Sequence, residues 1–346
     1  MGNDAETSSS APRRLAPFLK WSGWVVLVLT ALTAAAVVSM ALWFRASPPQ
    51  LWIALWIAAL AGALVAGVRF GPWSGLGLVL VAAGIFALWW MTILPSNDRD
   101  WQPDVAQLLT AAFDPDDPSR VVLRNVRNFD WQTPTEATER WETRAYDLDA
   151  IESLDFILTW WAGPAIAHTM VSFGFSDGEH IVFSLGIRPE RGEAYSSVAG
   201  FFKSYELILT GADERDAVGL RTSVQTGNRV VLYRLTGKPE MMRGLFLEYL
   251  DLANELAERP QFYRTILDNC TTVIWKLADR LLPGLPIDYR VVLSGYLPEY
   301  LHERGALGTR YSLEDLTAMG LLPSEIAYDG TGRGFSSAIR DGLKPQ

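Results

Sequence analysis

Three long uncharged runs open the chain, Trp21 to Phe44, Leu51 to Val68 and Phe70 to Pro95, and nothing comparable follows them. Each is long enough to cross a hydrocarbon core of about 30 Å as a helix, which takes roughly 20 residues. Tryptophans mark their ends: Trp21, Trp24 and Trp43 on the first, Trp52 on the second, Trp73, Trp89 and Trp90 on the third. Indole rings favour the headgroup level, so the pattern predicts three transmembrane helices. A cleavable signal peptide would have a shorter apolar core and no spans after it.

Beyond Ser96 the period shortens. VVLRNVRNF (Val121 to Phe129) alternates as a half-buried strand, and LDFILTWW (Leu154 to Trp161) reads as a buried strand or a short helix. In HTMVSFGF (His168 to Phe175) Val171, Phe173 and Phe175 fall on one face and His168, Met170, Ser172 and Gly174 on the other. SDG supplies a turn and EHIVFSLG a returning partner, which predicts a β-hairpin. Its register sets Gly174 against His180 and His168 against Gly186. YELILT (Tyr205 to Thr210) and RVVLYRL (Arg229 to Leu235) read as further strands.

Helical spacing then takes over. Met242, Leu245, Phe246, Tyr249, Leu250, Ala253 and Leu256 recur at three and four residues up to Pro260. Val273, Ile274, Leu277, Ala278 and Leu281 do so again before Pro283-Gly284 stops the run. Strands followed by helices define an α+β class. The expected organisation is a tail over 1–20, the transmembrane region over 21–95, a linker over 96–118, the α+β domain over 119–310 and an extension over 311–346.

Charge separates the two parts. Residues 1–96 hold five basic and two acidic side chains, and the remainder holds 25 basic and 37 acidic, a net of −12. An acidic domain without a basic stripe excludes nucleic acid as a partner. Arg13, Arg14 and Lys20 precede the first run and Arg69 follows the second, whereas Arg45 alone follows the first. The positive-inside rule therefore sets the N-terminus in the cytoplasm and everything after about Ser96 on the outer side of the membrane.

One cysteine rules out an internal disulfide and a CxxC metal site, and three histidines argue against a zinc cage. No pattern calls for a cofactor. GTGRG (Gly330 to Gly334) follows no strand and reads as a flexible tail, and DPDDP lacks the ligand spacing of a calcium loop.

The lone cysteine sits in LDNCTTVIWKLADRL, after Asp268 and Asn269 and before Thr271, all residue types that cap helices. Cys270 is thus expected in the first turn of a helix, where the dipole favours thiolate and free N–H groups could bind an oxyanion. A buried filler is the competing reading for such a residue. A nucleophilic thiol needs a base, and only His168, His180 and His302 are available. Six residues of strand, about 20 Å, separate His180 from His168. His180 and His302 read as surface residues, which leaves Cys270 with His168.

The runs AHTMVSFGFSDG, FFKSYELILTGADERD with Arg221, and RPQFYRTILDNCTT together resemble the family of Lnb-type periplasmic domains, named after a bacterial lipoprotein N-acyltransferase. That family resembles circularly permuted papain-like domains, such as lecithin:retinol acyltransferase and the NlpC-type amidases, with a histidine strand before a cysteine helix. The resemblance implies that Cys270 and His168 are the catalytic pair, and that the fold is a permuted papain-like domain. It implies acyl transfer at the membrane surface on lipoprotein or phospholipid substrates, the domain facing the periplasm from the inner membrane. A cell-wall amidase or peptidase and a non-catalytic binding module are the alternatives. The family often carries a glutamate where this chain has Gly186. Asn269, Glu206, Asp213 and Asp216 are the candidates for orienting the imidazole or binding an oxyanion, and ADERD with Arg221 also reads as a structural ion-pair cluster.

Overall fold

The computed structural model describes residues 15–344, with side chains from residue 19 onward. Arg13 and Arg14, on which the topology expectation partly rests, lie outside the described residues. The chain forms two compact units, one running to Leu94 and including Phe202–Ser204, the other comprising Pro95–Phe201 and the residues from Tyr205 onward.

The first unit is three helices, α1 (Leu15–Arg45), α2 (Pro49–Phe70) and α3 (Pro72–Thr92), each long and apolar enough to cross a membrane. Leu27, Ala31, Val38 and Leu42 of α1 pack on Trp56, Leu60 and Ala63 of α2 and on Val79 of α3. Small residues allow the close approach: a Cβ at Gly75 would stand 2.6 Å from the Ala63 carbonyl oxygen. The outward side chains, Leu32, Val65, Val81 and Leu88 among them, are large, apolar and exposed. That is the surface a lipid solvent requires.

The second unit is mixed α+β. Its strands are β1 (Thr110–Phe113), β2 (Arg120–Arg127), β3 (Asp130–Trp131), β4 (Ala137–Thr138), β5 (Trp141–Asp147), β6 (Ile151–Trp160), β7 (Ala167–Phe175), β8 (His180–Arg188), β9 (Glu206–Ala212) and β10 (Arg229–Arg234). The main sheet runs β1-β2-β9-β8-β7-β6-β10 with β5 also paired to β2, and β3 pairs with β4. LDFILTWW is therefore a strand. Gly178 supplies the positive φ of 84° at the hairpin turn, and Gly174 faces His180 as the pattern requires. The expected register holds along the whole ladder, but the ladder is shorter than expected. The β7–β8 ladder stops at Met170 opposite Ser184, so His168 does not pair with Gly186.

The strands part because each remains bonded to its outer neighbour. β7 follows β6 as far as Ala167 opposite Trp160, and β8 follows β9 as far as Arg188 opposite Glu206. A wedge-shaped gap opens between them. On one face of the sheet lies α5 (Pro239–Glu258), whose Phe246 and Tyr249 meet Phe173 and Phe183 ring to ring at 4.8–6.0 Å. All four rings are fully buried, each contributing roughly 1.5–3 kcal/mol of transfer free energy. Beside it α6 (Cys270–Leu281) buries Val273, Ile274 and Leu277. The opposite face, with Met170, Val182, Val230 and Leu232, is covered by α4 (Glu214–Gly219) and by α10 (Gly332–Ala338). Three short helices, α7 (Tyr289–Val292), α8 (Leu297–Glu303) and α9 (Leu313–Gly320), lie between α6 and α10.

Residues 96–118 contain β1 and the buried Trp101, over which the Arg188 guanidinium stacks at 4.3 Å. The C-terminal residues pack on the sheet. Leu322 N–H donates to the Val230 carbonyl beside edge strand β10, and GTGRG is not a flexible tail but the start of α10, capped by Thr331. Arg340 beyond it bonds Asp155 of β6 and Glu214 of α4.

Candidate active site

A cavity of about 830 Å3 occupies the gap, lined by His168, Ser184, Gly186, Arg221, Asn269 and Cys270 among others. Its rim is apolar and open: Trp161, Ile166, Tyr195, Phe201, Ile266 and Leu293 line it, each 40–60% exposed.

Cys270 is the first residue of α6, and Asn269 is its cap. The Asn269 Oδ1 accepts from the Thr271 and Thr272 main-chain N–H groups at 3.0 and 2.8 Å, while Thr272 Oγ1 accepts from the Asn269 N–H at 2.9 Å. This reciprocal box takes the Thr271 and Thr272 N–H groups that a free helix end would offer an oxyanion and leaves the Cys270 N–H outside it. Asn269 Nδ2 is engaged too, donating to the Thr265 carbonyl at 3.0 Å. The cap role of Asn269 is thus positional: it holds the cysteine at the helix end.

The thiol itself corrects an electrostatic expectation. Burial pushes Cys270 up from its ordinary value; the Thr169 N–H, the Thr271 and Thr169 hydroxyls and its own N–H pull the other way without offsetting it. The helix position alone does not produce a resting thiolate.

His168 is half-buried, and its Nε2 is hydrogen-bonded to Ser184 Oγ at 2.8 Å. Burial, and secondarily the positive charge of Arg221, holds the imidazole well below its ordinary value, so it is neutral at pH 7. Among the described residues His168 and Cys270 share the cavity but not a hydrogen bond. Strand geometry gives the reason. His168 shares a face of β7 with Met170, whereas Thr169, whose Oγ1 lies 3.4 Å from that of Thr271, shares the other face with Val171.

The acidic candidates are occupied. Glu206 is buried at the far end of β9, where it pairs with Arg99 at 2.9 Å and accepts from the Ser96 N–H. Asp213 caps α4 through the Arg215 N–H and pairs with Arg144. Asp216, fully buried, accepts from Arg127 Nε and Nη2, from the Phe129 N–H and from Trp131 Nε1 at 2.8–2.9 Å. Arg221 lies near this cluster but forms no ion pair with it among the described residues, donating through Nη1 to the Ala217 carbonyl at 2.9 Å.

Neither remaining histidine is a solvated surface group. The His180 ring packs on Gly174, where a Cβ would fall 2.5 Å from its Nε2, and His302 Nε2 lies 3.1 Å from the Tyr311 carbonyl. Ser184 was not among the residues singled out by motif. Its signal was the register: in an antiparallel pair the diagonal neighbour two residues along the partner strand comes within side-chain reach.

Fold and site define a membrane-anchored α+β protein with one half-buried thiol and one neutral imidazole on the walls of an apolar-mouthed cavity. Residues 137–295, which include His168, Ser184, Gly186, Arg221 and Cys270, match the family model of the Lnb N-terminal periplasmic domain, the family that the motifs resemble. No curated protein and no solved structure matches the chain.

Proposed function

We propose that the chain is a thiol-dependent acyltransferase of the bacterial inner membrane, with its α+β domain in the periplasm, acting on phospholipid or lipoprotein acyl groups. The observation that carries this reading is the placement of the single cysteine at a helix start inside an apolar-mouthed cavity that also holds a neutral imidazole. An apolar mouth suits an acyl chain better than a sugar or a peptide backbone, whose polar groups would lose water without compensation.

In the reaction, the imidazole of His168 takes the proton from Cys270 Sγ as the sulfur attacks the ester carbonyl carbon. The tetrahedral intermediate collapses, the ester C–O bond breaks, and the imidazolium returns its proton to the departing alkoxide. An amine then attacks the thioester, giving its proton to His168; the C–S bond breaks to leave an amide, and the imidazolium returns the proton to the departing Cys270 sulfur, restoring thiol and neutral imidazole. The Thr169 N–H and the threonine hydroxyls favour the thiolate whenever it forms.

The resting geometry also favours a second reading, a lipid-binding module without turnover, because the thiol is pushed up and the imidazole is engaged with Ser184. The test is the mass of the Cys270 peptide after the full-length protein is incubated with membrane phospholipids. An acyl adduct on Cys270, lost in His168→Ala, supports the enzyme. No adduct, with lipid bound, supports the module.

A further inference from the structure

Each of the other deeply buried guanidinium groups has its partners in the protein. Arg127 has Asp216, Arg340 has Asp155 and Glu214, and Arg188 has the carbonyls of Val105 and Ala106. Arg221 differs. It lies on the π-helical turn Leu220–Val224 that continues α4, a local distortion common at functional sites, and its group lines the cavity. Its one protein hydrogen bond among the described residues is to a main-chain carbonyl, and it forms no ion pair there, the nearby Asp216 being taken by Arg127. The remaining donors of the fork stay available to a ligand.

A second observation lies beside it. Thr159 sits opposite His168 in the β6–β7 ladder, lines the same cavity and is 2% exposed, yet its Oγ1 is buried without a hydrogen-bond partner. A buried hydroxyl left unpaired is costly, and an acceptor entering the cavity would relieve it. Around these polar groups the wall is apolar, with Leu185, Ile187 and Ile208. Arg127 and Asp104 also line the cavity, but Arg127 is held by Asp216 and lies 3.9 Å from Asp104, which leaves Arg221 as the cation without an ion pair among the described lining residues. Such a cation beside a hydrocarbon surface is the complement of an amphiphilic anion.

We propose that Arg221, assisted by Thr159, is the anion-recognition residue of this cavity and binds the phosphate ester of a phospholipid. The hydrocarbon part of the ligand lies along the apolar wall, and its acyl carbonyl reaches Cys270. The planar guanidinium matches two phosphate oxygens at once, which a lysine ammonium cannot do. The assignment rests on the acyl-transfer reading for its substrate, and on geometry alone for its anion.

The test titrates the full-length protein, in neutral detergent and on a Cys270→Ala background, with dihexanoyl phosphatidylglycerol, dihexanoylglycerol and inorganic phosphate. Arg221→Gln is expected to weaken the phospholipid roughly tenfold or more, and Arg221→Lys by less. Dihexanoylglycerol should bind both alike. Inorganic phosphate competing with the phospholipid in an Arg221-dependent way supports the anion site and shows that free phosphate also fills it; phosphate without effect assigns the site to the lipid headgroup. Equal phospholipid affinity in folded wild type and Arg221→Gln overturns the proposal. Should Arg221→Gln not fold, equal affinity in Arg221→Lys together with wild-type binding unchanged from about 0.05 to about 0.5 M salt overturns it instead. The two readings fail separately. Arg221-dependent binding without an acyl adduct on Cys270 rejects the chemistry and keeps the site, and an adduct without Arg221 dependence does the reverse.

Discussion

The imidazole of His168 and the hydroxyl of Ser184 form a 2.8 Å hydrogen bond across the point where β7 and β8 part. With Nε2–H donating to Ser184 Oγ, Nδ1 is the nitrogen left to accept the thiol proton. Ser184 then does for the ring what a carboxylate does in a catalytic triad, without its charge. Ser184→Ala is expected to slow acylation of Cys270 by about 10- to 100-fold with unchanged lipid binding, and Ser184→Thr to restore most of it. If the acyl adduct instead maps to Ser184 and survives Cys270→Ala, the serine is the nucleophile and the roles assigned here are wrong.

Gly186 leaves an empty place. A Cβ there would meet nothing within 4 Å, and the residue lines the cavity. Gly186→Glu should therefore fold normally and bring a carboxylate into the space that also holds His168. A nearby negative charge favours the imidazolium, so the His168 titration, followed by NMR of the ring protons, should move up. An unmoved titration in a folded variant would show that position 186 does not reach the ring.

Iodoacetamide labelling tests the thiol. Its folded value is raised by burial, so the thiolate fraction at neutral pH is smaller than that of a free cysteine. Native labelling should be slow at pH 6 and climb about tenfold per unit through the alkaline range, whereas the denatured chain labels faster at every pH below the folded value. Native labelling as fast as denatured at pH 6 would mean that the thiol is activated at rest.

Denaturation separates structural from chemical residues. Asp216→Ala strips the partner from four donors and leaves the Arg127 charge buried, an expected loss of about 3–5 kcal/mol. Cys270→Ala removes one sulfur from a half-buried position facing a cavity and should cost less than about 1 kcal/mol. Urea melts of the two variants check the contrast. A Cys270→Ala loss as large as that of Asp216→Ala would make the cysteine a core residue.

Much of the fold follows from local pattern. The strand at His168, its return at His180 and the helix from Pro239 are all carried by period-two or period-three-to-four spacing, with punctuation such as SDG and Pro283-Gly284. The three apolar helices need only length. What the pattern could not carry is long-range. Whether β8 stays with β7 or leaves with β9 depends on partners far away in the chain, and that choice leaves His168 unpaired with Gly186 and bonded through its side chain to Ser184. Asp213 and Asp216 look alike in ADERD, yet arginines 69 and 89 residues distant decide that both are structural. Helix position is local whereas burial is not, so the pattern around Cys270 carries no sign that burial raises the thiol or that the side chain of Asn269 takes the Thr271 and Thr272 N–H groups.

The ladder that ends at Met170 and Ser184 has a mechanical meaning. β6–β7 and β8–β9 are two arms joined along the five pairs from Met170–Ser184 to Gly174–His180, like the limbs of tongs. Spreading of the arms beyond Met170 and Ser184 would widen the gap toward Ile166 and Ile187 while the paired stretch that holds Phe173 stays closed. A bulky amphiphile could thus enter by spreading the arms and be gripped as they return, with no loop required to act as a door. The fulcrum lies one turn of pleat from His168, so the grip and the alignment of the imidazole would be a single motion.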